Sequence, residues 1–94
     1  MDLAETIRQA VADGRYRTTV HAAQRLAQRG LELWQLEVGL DEGEILEVRD
    51  NDLPNPSIVV VQTLPDGTEV NAVWSYVAAM NTAQLVTAHF FDGG

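Results

Sequence analysis

The chain contains no cysteine and no lysine, and only two residues each of tryptophan, tyrosine, phenylalanine, methionine and histidine. Without cysteine there is no disulfide framework, no thiolate zinc site and no cysteine nucleophile. Two histidines among scattered carboxylates do not make a zinc pattern either. His89 and Asp92, three apart on a strand, would point to opposite faces, so neither a metal nor a cofactor is expected. Apolar runs are short, as in Ile58 to Val61, and Met1-Asp2-Leu3 has no basic region leading into an apolar stretch. A membrane span and a secretory signal are therefore not expected, and a cytoplasmic location is. There is no phosphate-cradling glycine loop, no serine elbow and no dinucleotide fingerprint. The 94 residues, 46% of them hydrophobic, suit a single domain over residues 1–94.

Basic charge is scarce and unevenly placed. Six arginines oppose fourteen acidic residues, for a formal charge of -8. A field of that sign repels polyphosphates and membrane surfaces at long range, so nucleic-acid binding would require a local patch. One is available. Residues 1–30 hold Arg8, Arg15, Arg17, Arg25 and Arg29 against Asp2, Glu5 and Asp13, a balance of +2. Residues 31–52 hold eight acids against Arg49, a balance of -7.

Periodicity divides the chain into a helical part, about residues 2–43, and a sheet part, about 44–92. Leu3, Ile7, Ala10 and Val11 fall at helical spacing, with Gly14 placed to stop the helix in a left-handed conformation. Thr18 or Thr19 can cap a second helix running to about Arg29, with Gly30 after it. A third stretch, about Leu33 to Glu42, sets Leu33, Leu36 and Leu40 on one stripe, interrupted by Gly39. From Glu44 the pattern alternates, giving strands at Ile45 to Arg49, Ser57 to Leu64, Thr68 to Ala78 and Ala83 to Phe91. Pro65-Asp66-Gly67 and Asn81-Thr82 mark turns, and Asn51 to Pro56 a loop. The expected fold is α+β, with two to three N-terminal helices on one face of a four-stranded, mainly antiparallel sheet. Trp34 and Trp74 read as core. The other sheet face, carrying Asn71, Ser75, Thr87 and His89, is either solvated or a shallow site.

In the second helix, His21, Arg25 and Arg29 fall within about 80 degrees of one another, opposite Ala22, Ala23, Leu26 and Ala27. Two arginines at i and i+4 repel, which implies an anion nearby. That anion is either a carboxylate of this chain, with Glu42, Glu44 and Glu47 in range by charge, or an external phosphate. His21 either anchors the helix to a strand carbonyl or has a chemical role.

The string Val20-His21-Ala22-x-x-Arg25-x-x-x-Arg29-Gly30-Leu31, followed by an amphipathic helix, Gly43-Glu44-Ile45-Leu46-Glu47 and Val86-Thr87-Ala88 in the last strand, resembles the bacterial domain of unknown function 4258 family. That family in turn is similar to RelE-like and colicin-type small nuclease toxins, which cleave RNA without a metal. The resemblance implies His21, Arg25 and His89 as catalytic residues and Arg29, Thr87 and Asn71 as substrate-binding residues. Two positions depart from the family pattern: Asn71 stands where relatives place a histidine, and His89-Phe90-Phe91 replaces a tyrosine. Histidine and arginine together supply what metal-independent cleavage needs, a base for the 2′-hydroxyl, an acid for the leaving oxygen and a cation for the phosphate. The implied function is a toxin-like ribonuclease or RNA-binding domain, with RNA and a cognate antitoxin as partners. The alternative is a non-catalytic protein-interaction module of the same fold, its arginine face internally paired and its acidic segment meeting a basic partner.

Overall fold

The structure, a computed structural model, describes residues 2–90. Helix α1 (Leu3–Ala12) is capped by Asp2, whose carboxylate accepts from the Glu5 amide at 3.1 Å, and it buries Leu3, Ile7, Ala10 and Val11. Strand β1 (Tyr16–Thr18) follows, then α2 (Val20–Gln28) and α3 (Leu33–Gly39). The second half of the chain forms β2 (Glu44–Arg49), β3 (Ser57–Thr63), β4 (Glu69–Val77), a short 3-10 turn (Ala78–Met80) and β5 (Thr82–Phe90). The strand order is β1-β5-β4-β3-β2. All pairs are antiparallel except β1 with β5, which is parallel, with Tyr16 opposite Ala83 and Thr18 opposite Leu85.

The sheet therefore has five strands and is mixed, where four mainly antiparallel ones were expected. The extra strand is the Tyr16-Arg17-Thr18 link between the first two helices. Three residues are too few to show an alternating pattern, and the partner strand lies 67 residues away. The remaining meander follows its turn signals. Gly67 takes a positive φ of 88° in the β3–β4 hairpin, and Asn81 takes 50° before β5.

Val70, Ala72 and Trp74 of β4 lie on the helix-covered face with Ile58 and Val60 of β3, and Ala83, Leu85 and Ala88 of β5. They share one core with Ile7, Leu26, Leu36 and Leu40 of the helical layer. β5 departs from simple alternation. Val73 opposes Thr87 but Trp74 opposes Leu85, which leaves Val86 as an extra, bulged residue. The bulge puts Leu85 on the covered face with Ala88, whereas strict alternation grouped it with Thr87 and His89.

A buried polar chain ties the layers together. Gln62 donates to the Leu36 carbonyl at 2.6 Å and accepts from the Trp74 indole at 2.9 Å. Helix α3 comes close to β3 at this point. A Cβ at Gly43, just past the helix, would lie 2.4 Å from Val60 Cγ1, so only glycine fits. Trp34, by contrast, is 50% exposed. Its indole donates to Glu32 at 2.9 Å instead of entering the core. Phe91 and Asp92, expected near the end of the last strand, lie outside the described residues.

Candidate functional site

Register assembles the uncovered face in rows across the strands. In one row Ser57, Ser75 and Gln84 stand side by side, with Arg17 of β1 beyond Gln84. The next row is Val59, Val73 and Thr87, and the one after it Val61, Asn71 and His89. The β2–β3 loop folds back across the first of these rows and encloses a cleft of about 400 Å³. Val73 and Val86 of the sheet and Leu53 and Pro54 of the loop contribute apolar lining, and Ser75, Gln84 and Thr87 supply polar groups.

The cleft's polar groups are only partly engaged. Ser57 donates its hydroxyl to Asp52 Oδ2 at 2.7 Å, which helps pin the loop over the sheet. Arg49 lies against the same carboxylate oxygen at 4.0 Å and against Glu47 at 3.1 Å. The Glu47 hydrogen bond and charge, with Asp52, hold the Arg49 guanidinium more firmly protonated than usual. Arg17 donates to Gln84 Oε1 at 2.7 Å, which directs the Gln84 amide nitrogen away from Arg17. Ser75, only 3% exposed, has a buried Oγ with no hydrogen-bond partner, and Asn71 Oδ1 is likewise buried and unpartnered. Buried polar atoms are satisfied in the great majority of cases, so two orphans on one sheet face mark a surface suited to receiving another group.

Helix α2 borders this face at the free part of β5. Its N-cap is Thr19, whose Oγ1 accepts from the Ala22 amide and donates to the Val86 carbonyl, both at 3.1 Å. The Thr19 amide donates to the Leu85 carbonyl at 3.0 Å. At the other end Arg29 stacks 4.8 Å from the centre of the Phe90 ring. Anchored at both ends, α2 runs alongside residues 85–90 and buries Ala22 and Leu26 in the core.

Of the six residues singled out from the sequence, Thr87 lines the cleft. Asn71 and His89 face each other across β4 and β5 in the adjoining rows, His89 exposed. His21 is exposed on the first turn of α2, and Thr19 takes the anchoring bond to a strand carbonyl that His21 could have made. Arg25 is half-buried. Among the described residues no ion pair joins α2 to Glu42, Glu44 or Glu47. The reason is topological: α2 and β1 occupy one edge of the sheet and β2, which carries Glu44 and Glu47, occupies the other. Ser57, Gln84 and the Asp52–Pro54 segment also line the cleft. Their signature in the sequence is weak, a loop of Asn, Asp and Pro followed by a serine that alternates into the polar face.

The two histidines are separated along the strand direction. His21 is two residues beyond Thr19 on a helix, about 3 Å, whereas His89 opposes Asn71, three residues along β4 from the Trp74 that opposes Leu85, about 10 Å. His89 falls level with Arg25 instead. No group of three or more metal-ligating side chains clusters among the described residues.

A three-helix layer on a mixed sheet with one polar, notched face defines an α+β domain. The profile of one family, the domain of unknown function 4258 (DUF4258), matches residues 18–89, and the chain belongs to that family. The match begins in β1 and ends at His89, so it takes in α2, the cleft loop and the whole antiparallel meander. No curated protein and no solved structure matches the chain.

Proposed function

We propose that this domain binds single-stranded RNA along the edge formed by β1 and α2, with Arg17 and Arg25 toward the backbone and the adjoining open face toward the bases. One observation carries the reading: Arg17 of β1 and Arg25 of α2 are a sheet's width from the acidic strand β2, so Glu44 and Glu47 do not neutralise them although the chain carries a charge of -8. Thr87, Asn71 and His89 line the open face of the sheet and offer hydrogen-bonding groups to a strand laid along β5.

Cleavage is the further possibility that the family resemblance raises, with His21 as base and Arg25 on the phosphate. Fluorescence anisotropy with labelled single-stranded RNA, run with a gel assay in chelator, tests both. Binding should weaken with salt, log K against log salt falling with a slope of about −1.5 for two phosphate contacts. Arg25→Gln should lower affinity and flatten that slope. Absence of binding at low salt would overturn the proposal. RNA cut by wild type and left intact by His21→Ala would add nuclease activity to it, and RNA intact with both would remove that reading.

The protein-interaction alternative has its own support at the opposite edge. β2 is an edge strand, and its exposed Leu46 and Val48 sit among Glu44, Glu47 and Asp50. A basic extended segment, such as that of an antitoxin, could pair with it by strand addition. Both partners could be bound at once, since the two edges are separate.

A further inference from the structure

We propose that the cleft under the 50–56 loop is a nucleobase site, which extends the RNA-binding reading by giving one base of the strand a place to leave the stack. A cleft of about 400 Å³ is at the small end of ligand sites and suits a single ring system with its ribose, not a dinucleotide. Its lining combines apolar side chains of the sheet, Val73 and Val86, with Leu53 and Pro54 of the loop, surface that a flat ring can cover. Polar groups line the same cleft. Ser75 Oγ is buried without a partner and can donate or accept. Gln84, held through its oxygen by Arg17, presents its amide N–H groups as donors. Thr87 adds a second hydroxyl. These groups match the mixed donor and acceptor edge of a base.

Charge gives the other half of a nucleotide no hold inside the cleft. Of its lining residues only Arg49 and Asp52 are charged, and they face each other at 4.0 Å, so their charges offset and no unshared cation awaits a phosphate there. The ring entering here is neutral. Its phosphate has a favourable place just outside, because Thr19 both lines the cleft and caps α2, so the cleft opens beside the start of the arginine-bearing helix. That continuity points to a base attached to a backbone, in preference to a free sugar.

The test is titration of isotope-labelled protein with the four unphosphorylated nucleosides, followed by amide NMR shifts at low and high salt, beside the RNA titration above. At least one nucleoside should shift the amides of Ser57, Ser75, Gln84 and Thr87, with an affinity almost independent of salt. Ser75→Ala should weaken that binding about 3- to 10-fold, the loss of one hydrogen bond. Ser75→Leu, which fills the cleft, should abolish it. Should the leucine variant fail to fold, Gln84→Met serves as the second probe, with an expected loss of the same size as that of Ser75→Ala. RNA that binds while no nucleoside shifts these amides overturns the base site and leaves the RNA reading standing. Nucleosides that bind while RNA does not would support the site and overturn the RNA reading. If neither binds, both fall.

Discussion

The two faces of β4 use buried polar chemistry in opposite ways. On the covered face, Trp74 and Gln62 form a closed circuit: the indole donates to the amide oxygen, and the amide nitrogen donates to the Leu36 carbonyl. Every group in that circuit is engaged in holding helix α3 on the sheet. On the open face, one residue further along the same strand, Ser75 is equally buried and has no partner. The first arrangement is what a fold does with polar atoms it needs. The second is what remains when the atoms serve something other than the fold.

Substitutions at the two faces should therefore differ in sign as well as size. The largest effect belongs to Gln62→Leu, which strands the Leu36 carbonyl and the Trp74 indole in the core and should cost about 2–4 kcal/mol, read from urea midpoints. A midpoint close to wild type would show that the circuit is dispensable and would erase the contrast between the faces. Thr19→Ala lies at the boundary between them. It removes a helix cap and the bond to Val86, and should cost about 1 kcal/mol while also weakening RNA binding through misplacement of α2. Loss of stability with unchanged RNA affinity would separate α2 from the site. Ser75→Ala should leave stability unchanged or raise it by up to about 1 kcal/mol, because it deletes an unpaired buried hydroxyl. A clear loss of stability would mean that the hydroxyl serves the fold after all.

The smallest effect is confined to acid and lies away from both faces. Asp66 accepts from the Thr68 amide in the β3–β4 turn, and that bond holds its carboxyl below the ordinary value of 3.8. A carboxylate held low stabilises the folded chain above that value and loses its contribution as pH falls through the depressed one. Thermal midpoints of wild type and Asp66→Asn should run parallel above about pH 4 and converge below it. Convergence at higher pH would assign the acid response to other carboxylates.

What the sequence made legible was whatever a few adjacent residues could encode. The capping Thr19, the left-handed turn at Gly67 and the helical spacing of Ile7, Ala10 and Val11 are local, and they located the helices and the hairpin. β1 was hidden because its three residues mean nothing without Ala83 to Leu85, far along the chain. The bulge at Val86 was hidden for a related reason, since an extra residue is defined only against the opposite strand. The polar strip of Asn71, Ser75, Thr87 and His89 was visible from alternation alone. The cleft was not, because it exists only where the Asp52–Pro54 segment crosses a row built from three strands. Trp34 shows the limit of composition as a guide. Its hydrophobic bulk suggested core, but a neighbouring Glu32 gives the indole a partner at the surface.

The parallel pairing of β1 with β5 also fixes an order of events during synthesis. α2 is among the earlier parts of the chain to leave the ribosome, yet both of its anchors, the Leu85 and Val86 carbonyls and the Phe90 ring, belong to the last strand. Until β5 emerges, the arginine helix has no sheet to lie against and the cleft has no Gln84 or Thr87 in its wall. Contacts that span so much of the chain form late and slowly. A chain that lacks β5 would thus hold α2 without either of its anchors and without the wall of the cleft that Gln84 and Thr87 supply.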